Sequence, residues 1–329
     1  MMGTISADRI FGISNDEQFS ELALQVFRFQ AAENPVYKAY LKHLRISPKN
    51  VSTLEEIPFL PVEFFKHHRV VSGDRGHEVI FESSGTTGED TSKHYICDLP
   101  LYHRSFTSTF RIFYGDPSGY CILALLPSYL ERMHSSLVYM AGELIRLSGH
   151  PASGFYLNEY KGLIRQLGIL ENKQQPTLLL GVSFALLDLA ENFPLELKNT
   201  MVIETGGMKG RREEMTREEL HERLCLGFKV EAIHSEYGMT ELLSQAYAKR
   251  DGIFHTPPWM KVMIRDPYDP LSMMSRDSSG GINIMDLANL YSCSFLATQD
   301  IGKSIPDGGF EVLGRFDNSD IRGCNLMLE

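Results

Sequence analysis

Apolar residues at Phe19, Leu22, Ala23, Val26 and Phe27 recur at the intervals of one helix face, and the spacing predicts a helix that Asn34-Pro35 interrupts. A second helical piece is predicted to run on to about Leu44, and Ser14-x-x-Glu17 reads as a capping box ahead of the first. "IPFLPVEFFKHH" follows, with prolines at 58 and 61, and reads as an extended connector whose Phe59, Phe64 and Phe65 pack into a core. Further on the pattern changes to short continuous apolar runs. "YCILALLP" (120–127), "TLLLGV" (177–182), "TMVIETGG" (200–207) and "KVEAIHSEYG" (229–238) are predicted strands, with helical segments such as "MHSSLVYMAGELIRLSG" (133–149) between them.

Strands alternating with helices imply an α/β fold with mainly parallel sheets and helices on both faces. In such sheets ligands bind outside the carboxyl ends of the strands, which is where the polar runs "ETGG" and "SEYGMTE" fall. From about His255 the pieces shorten: "WMKVMIRD", "GGINIMDL", "SCSFLATQD" and "GGFEVLGR" are strand-like and separated by Asp, Pro, Ser and Gly. The expected organisation is an α/β domain over 1–254, a smaller β-rich lobe over 255–314 and a hinge-like tail over 315–329. No internal repeat or low-complexity segment is seen.

Composition narrows the class. The 329 residues are 43% hydrophobic and 22% charged, ordinary for a globular enzyme, and a net charge of −10 argues against a nucleic-acid surface. No run has the length of a membrane span, and "MMGTISADRI" lacks the basic-then-apolar plan of a secretory signal, so a cytoplasmic location is expected. Five scattered cysteines (97, 121, 225, 293 and 324) with no CxxC spacing read as free thiols. The eleven histidines form no HxxxH pair, and no metal site is suggested by Cys/His spacing.

The polar stretch "FESSGTTGED" (81–90) raises the chemistry. Its glycines allow close backbone approach and its hydroxyls add donors, a combination suited to cradling phosphate; a flexible Ser/Gly turn is the alternative. It is the first of four polar motifs in order: SSGTTG (83–88), EYGMTE (236–241), TQDIG (298–302) and GRFD (314–317). Together they resemble the adenylate-forming superfamily of acyl-CoA synthetases, luciferases and nonribosomal adenylation domains, over the chain from about Phe81 to Asp317. "SYLERMHSSLVYM" and the terminal "RGCNL" look most like the LuxE-type acyl-protein synthetases; phenylacetate–CoA ligases are the next resemblance.

The resemblance implies that ATP and Mg²⁺ are bound and that a carboxylic acid, fatty by this likeness, attacks the α-phosphorus to give an acyl-adenylate. Such a site must align the acid, hold a triphosphate and neutralise charge growing on phosphate oxygens. By the same likeness Ser83, Ser84, Gly85, Thr86, Thr87 and Gly88 wrap the β- and γ-phosphates. Lys93 either adds charge there or is a solvated surface lysine. Tyr237 and Gly238 lie at adenine, with Gly206 and Gly207 of "TGGMKG" as a wall of its pocket; Met208 stands where the family often has an acid. Thr240 bonds the α-phosphate and Glu241 holds Mg²⁺, a hard oxygen ligand for a hard ion. Asp300 accepts from the ribose hydroxyls, Arg315 reaches ribose or phosphate, and Asp317 matches the hinge. Each has a plainer alternative: a core tyrosine, a helix-cap acid, a turn aspartate, a surface arginine.

Tyr129, His134 and Met140 sit where relatives line the acid pocket, although a helical Met/Leu stripe is more often core. Relatives carry a further mobile domain after the hinge with a lysine that assists adenylation, whereas this sequence ends shortly after Asp317, a departure that the LuxE type shares. The expected activity is ATP-dependent activation of the acid and its transfer to a protein thiol as a thioester, with Cys324 as the acyl acceptor and an acyl reductase as the implied partner. Two alternatives stand beside it: an aryl-acid CoA ligase, and a nucleotide-binding scaffold for such a reductase that has lost catalysis.

Overall fold

The periodic segments fold where their patterns place them, and the exceptions lie at the ends of elements. In the computed structural model the described residues are 5–83, 91–127, 134–157, 159–206, 215–275, 277–306 and 308–316. Contacts divide the chain into two units. Unit 1 comprises Met1–Ser105, Met239–Ser244 and His255–Glu329; unit 2 comprises Phe106–Gly238 and Gln245–Phe254. The change of pattern at His255 thus falls on a boundary, and the first 105 residues join the segment after it.

Unit 1 begins with α1 (Ala7–Phe11), α2 (Asp16–Glu33) and α3 (Pro35–His43). α2 buries Phe19, Leu22, Ala23, Val26 and Phe27, the predicted face. Its cap is one residue later than the Ser14/Glu17 reading. Asn15 Oδ1 accepts from the Gln18 amide at 2.9 Å, and Gln18 Oε1 accepts from the Ser14 amide at 3.0 Å and its hydroxyl at 3.1 Å. Asparagine caps as well as serine does, and glutamine reaches back as glutamate would. Within the expected connector, β1 (Leu60–Pro61) and a single helical turn, α4 (Phe64–His67), form instead, with Phe59 and Phe65 buried as expected. A hairpin of β2 (Val79–Glu82) and β3 (Lys93–Ile96) follows, and then α5 (Leu99–Tyr114), inside which unit 2 begins.

Unit 2 is built on β4 (Cys121–Leu125), α6 (Ser136–Ser148), β5 (Gly154–Tyr156), α7 (Tyr160–Asn172), β6 (Thr177–Val182), α8 (Ser183–Asn192), β7 (Thr200–Thr205), α9 (Arg217–Phe228), β8 (His234–Tyr237) and β9 (Ala246–Ala248). Its sheet has the order β5-β4-β6-β7-β8-β9, parallel throughout except that β9 runs antiparallel to β8. β4 and β6 are buried along their whole length, which is why they read as continuous apolar runs. Returning to unit 1, the chain adds β10 (Met260–Arg265), β11 (Ser279–Asp286), β12 (Phe295–Ser304) and β13 (Phe310–Arg315). β10, β11, β12 and β13 pair antiparallel in turn, and β1 lies parallel on β12. The fold is α/β, with a mainly parallel sheet in one unit and a β-rich sheet in the other.

In unit 2, α8 packs on α9, and a Cβ at Gly227 would stand 2.6 Å from the Ala190 Cβ and 2.9 Å from the Ala190 carbonyl oxygen. Gly227→Ala recovers roughly 0.5–1 kcal/mol of helix propensity but forces apart two helices at a site where overpacking costs about 1–3 kcal/mol. A net loss of about 1–2 kcal/mol is expected in urea unfolding; a variant at least as stable as the parent contradicts this close approach.

Candidate active site

Residues 239–244 of unit 1 run without regular structure yet are largely buried from Glu241 on, so their peptide groups need partners. Side chains supply them. The Asp286 carboxylate accepts from the Leu243 amide (3.1 Å), the Ser244 amide (2.8 Å) and the Ser244 hydroxyl (2.7 Å). Asn289 Oδ1 accepts from the Leu243 amide at 2.9 Å, and its Nδ2 donates to the Glu241 carbonyl at 2.7 Å. Asp286 and Asn289 are both wholly buried, and burial pushes the Asp286 carboxyl up to about 6 against these donors. Trp259, for which the sequence suggests no chemistry, is buried and donates its indole N–H to Ser244 Oγ at 2.9 Å.

Thr240 and Glu241 sit within this frame. The Thr240 carbonyl accepts from His94 Nδ1 at 2.8 Å. Glu241 is 7% exposed, and burial raises its carboxyl, with Asp300 adding to the rise. The Ser92 hydroxyl, its own amide and the Arg315 charge oppose it. Asp300 and Arg315 face each other in register across β12 and β13, with Arg315 Nε 3.5 Å from Asp300 Oδ1. Arg315 Nη2 also donates to Gln299 Oε1 at 2.9 Å, and Gln299 Nε2 donates to Glu63 at 2.6 Å. Three of the residues that the motifs single out, Glu241, Asp300 and Arg315, thus share one electrostatic neighbourhood in unit 1. Ser83 lies at the base of its loop: its amide donates to the Ser92 carbonyl at 3.0 Å, and its hydroxyl accepts from the Ser92 amide at 2.9 Å. Lys93 is half exposed and 4.0 Å from Glu82.

Unit 2 carries the others. Tyr237 is 9% exposed and meets Phe254 edge-on at 5.8 Å, so its ring is packed. Gly238 is exposed, and a Cβ there would run into the Glu236 carboxylate. Gly206 has φ +71°, the left-handed conformation that favours glycine, and Ser183 Oγ donates to its carbonyl at 3.1 Å. Two buried acids end the neighbouring strands. Burial pushes Glu204 up, but His221, Arg217 and the Ser235 hydroxyl outweigh it and hold the carboxyl below its ordinary value. Arg217 Nη1 lies 3.1 Å from Glu204, and Ser183 Oγ donates to Glu204 at 2.8 Å. Glu236 accepts from the Thr205 hydroxyl, and burial pushes it up to about 7 with help from the Glu204 charge. Met140 is buried in α6 as core, and His134 is exposed.

Ser84, Gly85, Thr86, Thr87, Gly88, Gly207 and Cys324 lie outside the described residues, as do Tyr129, Met208 and Asp317. Among the described residues no group of three or more His, Cys, Asp or Glu is placed to hold a metal alone. Mg²⁺ needs no such cage: it keeps several waters and takes one or two carboxylates with substrate phosphate oxygens, which the buried Glu241 carboxylate with Asp300 nearby suits. No helix among the described residues is long and apolar enough to cross a membrane. Sequence reading missed His94, Asp286 and Asn289, whose partners in this frame lie far away in the chain.

No family model matches the chain. It is 23% identical over 335 residues to the long-chain-fatty-acid–luciferin-component ligase of Aliivibrio fischeri, covering 94% of this chain and 87% of that protein, which bears out the LuxE-type resemblance. A solved structure of 2-hydroxyisobutyryl-CoA ligase in complex with 2-HIB-AMP and CoA superposes with a TM-score of 0.67 at 13% identity, over 92% of this chain and 70% of that one. ATP-bound MatB from Rhodopseudomonas palustris gives 0.55 at 18% identity, over 74% and 50%. The chain has the fold of these solved structures.

The Glu236 carboxyl sets a pH dependence. With a folded value near 7 above the ordinary 4.5, the folded state binds more protons between those values. The stability this group contributes is therefore present below pH 4.5 and lost as pH rises through 7. Glu236→Gln, which mimics the protonated acid, is expected to be more stable than the parent at pH 8 by on the order of 1–3 kcal/mol, with the gap closing towards pH 5. Unfolding curves of both proteins across this range check it; a gap independent of pH refutes the shift.

Proposed function

We propose that the protein is an ATP-dependent acyl ligase that converts a carboxylic acid, fatty by its resemblance, into an acyl-adenylate and passes the acyl group to a cysteine thiol of a protein. The observation that carries the reading is that Glu241, Asp300 and Arg315, from three separate motifs, share one neighbourhood in a chain with the adenylate-forming fold. In this reading the acid's carboxylate oxygen attacks the α-phosphorus and the bond to pyrophosphate breaks. Asp300 accepts from the ribose hydroxyls, Arg315 balances phosphate charge, and Thr240 bonds the α-phosphate. Ser83, Ser84, Gly85, Thr86, Thr87 and Gly88 hold the outer phosphates, and Gly206, Gly207, Tyr237 and Gly238 take adenine. Mg²⁺, held by Glu241, supplies positive charge against the phosphate oxygens when bound.

The acyl-adenylate is a mixed anhydride that a thiolate attacks at the acyl carbon, with AMP leaving. Burial raises the thiols of Cys97, Cys121, Cys225 and Cys293, the last to about 12, which makes all four poor thiolates. By the LuxE-type resemblance Cys324 is the acceptor, and Arg322 stands two positions before it in the sequence. Transfer to the thiol of CoA is the second reading, favoured by the likeness to a ligase solved with CoA.

Two experiments test this. Acid-dependent exchange of labelled pyrophosphate into ATP is expected across a series of acids, and Glu241→Gln, still folded, is expected to lose about 100-fold or more, the scale of losing one preorganised charge contact. Full exchange in that variant removes Glu241 from the site. Intact-mass analysis with ATP, Mg²⁺ and the acid is expected to show one hydroxylamine-labile acyl adduct that Cys324→Ala abolishes while exchange continues. An adduct that persists, or acylated CoA formed in its place, decides against Cys324.

A further inference from the structure

We propose that His94 is a positioning residue for this reaction: its Nδ1–H, donated to the Thr240 carbonyl, fixes the peptide plane between Thr240 and Glu241 and so aims the Glu241 carboxylate. The inference rests on the reading of Thr240 and Glu241 as ATP-site residues, and every group in it belongs to unit 1.

His94 is 1% exposed on β3, with Nδ1 2.8 Å from the Thr240 oxygen and Nε2 2.9 Å from Ser292 Oγ. A carbonyl oxygen can only accept, so Nδ1 carries the proton; in the neutral ring Nε2 then accepts from the Ser292 hydroxyl. Burial holds the ring neutral, lowering its value to about 4. Phe65 meets the imidazole edge-on at 5.3 Å and limits its rotation. One tautomer and one ring orientation remain.

What this fixes follows from the planarity of the peptide bond. The carbonyl of Thr240 and the amide of Glu241 belong to one plane, pointing to opposite sides. Anchoring the carbonyl directs the Glu241 N–H, and that N–H is one of the groups stabilising Glu241's own carboxylate. On the far side of Glu241, Asn289 Nδ2 holds the carbonyl at 2.7 Å. Two residues before His94, Ser92 is one of the groups that oppose the burial-driven rise of the Glu241 carboxyl. Both peptide planes that flank Glu241 are therefore held, the first of them by His94. A histidine that merely satisfied a buried carbonyl would have no bearing on the acid next to it; this one orients the plane that acid hangs from.

Side-chain amides separate the two nitrogens. The amide nitrogen of asparagine reaches close to the position of Nδ1, that of glutamine close to Nε2. In pyrophosphate exchange His94→Gln and His94→Leu are expected to lower kcat about tenfold, equivalent to ~1.4 kcal/mol, with KM for ATP changed less than about threefold. His94→Asn is expected to keep at least about a third of the parent rate. Should His94→Leu fail to fold, the Asn and Gln pair alone decides. Equal rates in Asn and Gln, or losses that follow the fall in Tm rather than the donor position, overturn the proposal. ¹⁵N NMR of the histidine ring provides a readout independent of activity: a protonated Nδ1 is expected, and a protonated Nε2 overturns the contact itself. Parent protein that exchanges with no acid, yet shows the Nδ1–H tautomer, overturns the ATP-site reading and the catalytic role with it, and leaves the hydrogen bond standing.

Discussion

Backbone that is neither helix nor strand can be buried only if something else takes its amides and carbonyls. Residues 240–244 impose that constraint on unit 1, and the structure around them is its solution. His94 takes the Thr240 carbonyl, Asn289 the Glu241 carbonyl, and Asp286 with Asn289 the amides of Leu243 and Ser244. These partners come from β3, from the end of β11 and from the turn after it, so the paired strands of unit 1 hold the polar segment. Removing any one partner leaves a buried polar group unsatisfied, at about 1–3 kcal/mol each.

Burial does not act alike on every acid, within unit 1 or within unit 2. Asp286 and Glu204 are both buried, yet burial prevails at Asp286, which meets neutral donors alone, while at Glu204 Arg217 and His221 outweigh it. Glu236 has the Thr205 hydroxyl and a carboxylate nearby, and burial raises it as well. Burial sets the size of the penalty; whether a cation stands within reach decides the direction. Glu241 lies between these cases, with Arg315 opposing burial and Asp300 adding to it. A carboxylate in that position gains from an added positive charge, which is the property a Mg²⁺ ligand needs.

The sequence made β4 and β6 legible because strands buried on both faces read as near-continuous apolar runs; "TLLLGV" matches β6 residue for residue, whereas the "KVEAIHSEYG" expectation shrinks to His234–Tyr237. The pairing of "TQDIG" with "GRFD", which brings Asp300 opposite Arg315, was not read from the sequence. The α2 cap slipped by one because Ser14 and Asn15 are both good caps, and only the fold tells which has its side chain at the helix end. His94, Asp286 and Asn289 left no signal at all. The His94–Thr240 bond spans 146 positions, and a single polar residue in a strand has neither period nor motif to mark it.

This difference follows from the physics of a site that works by positioning. Groups that touch a substrate cluster in short polar motifs, because a loop at a strand's end must present several donors at once, and such clusters stand out against an apolar background. Groups that hold the motif in place act one at a time from the core, each from a different point of the chain. Their number is set by the buried peptide groups of the segment they hold, not by the chemistry of the ligand. Residues 240–244 bury enough backbone to call on three such anchors, His94, Asp286 and Asn289, and in the proposed reading those anchors set how firmly Glu241 is held. In electrostatic catalysis, where a preorganised charge acts without moving at the moment of reaction, that firmness is itself part of the rate.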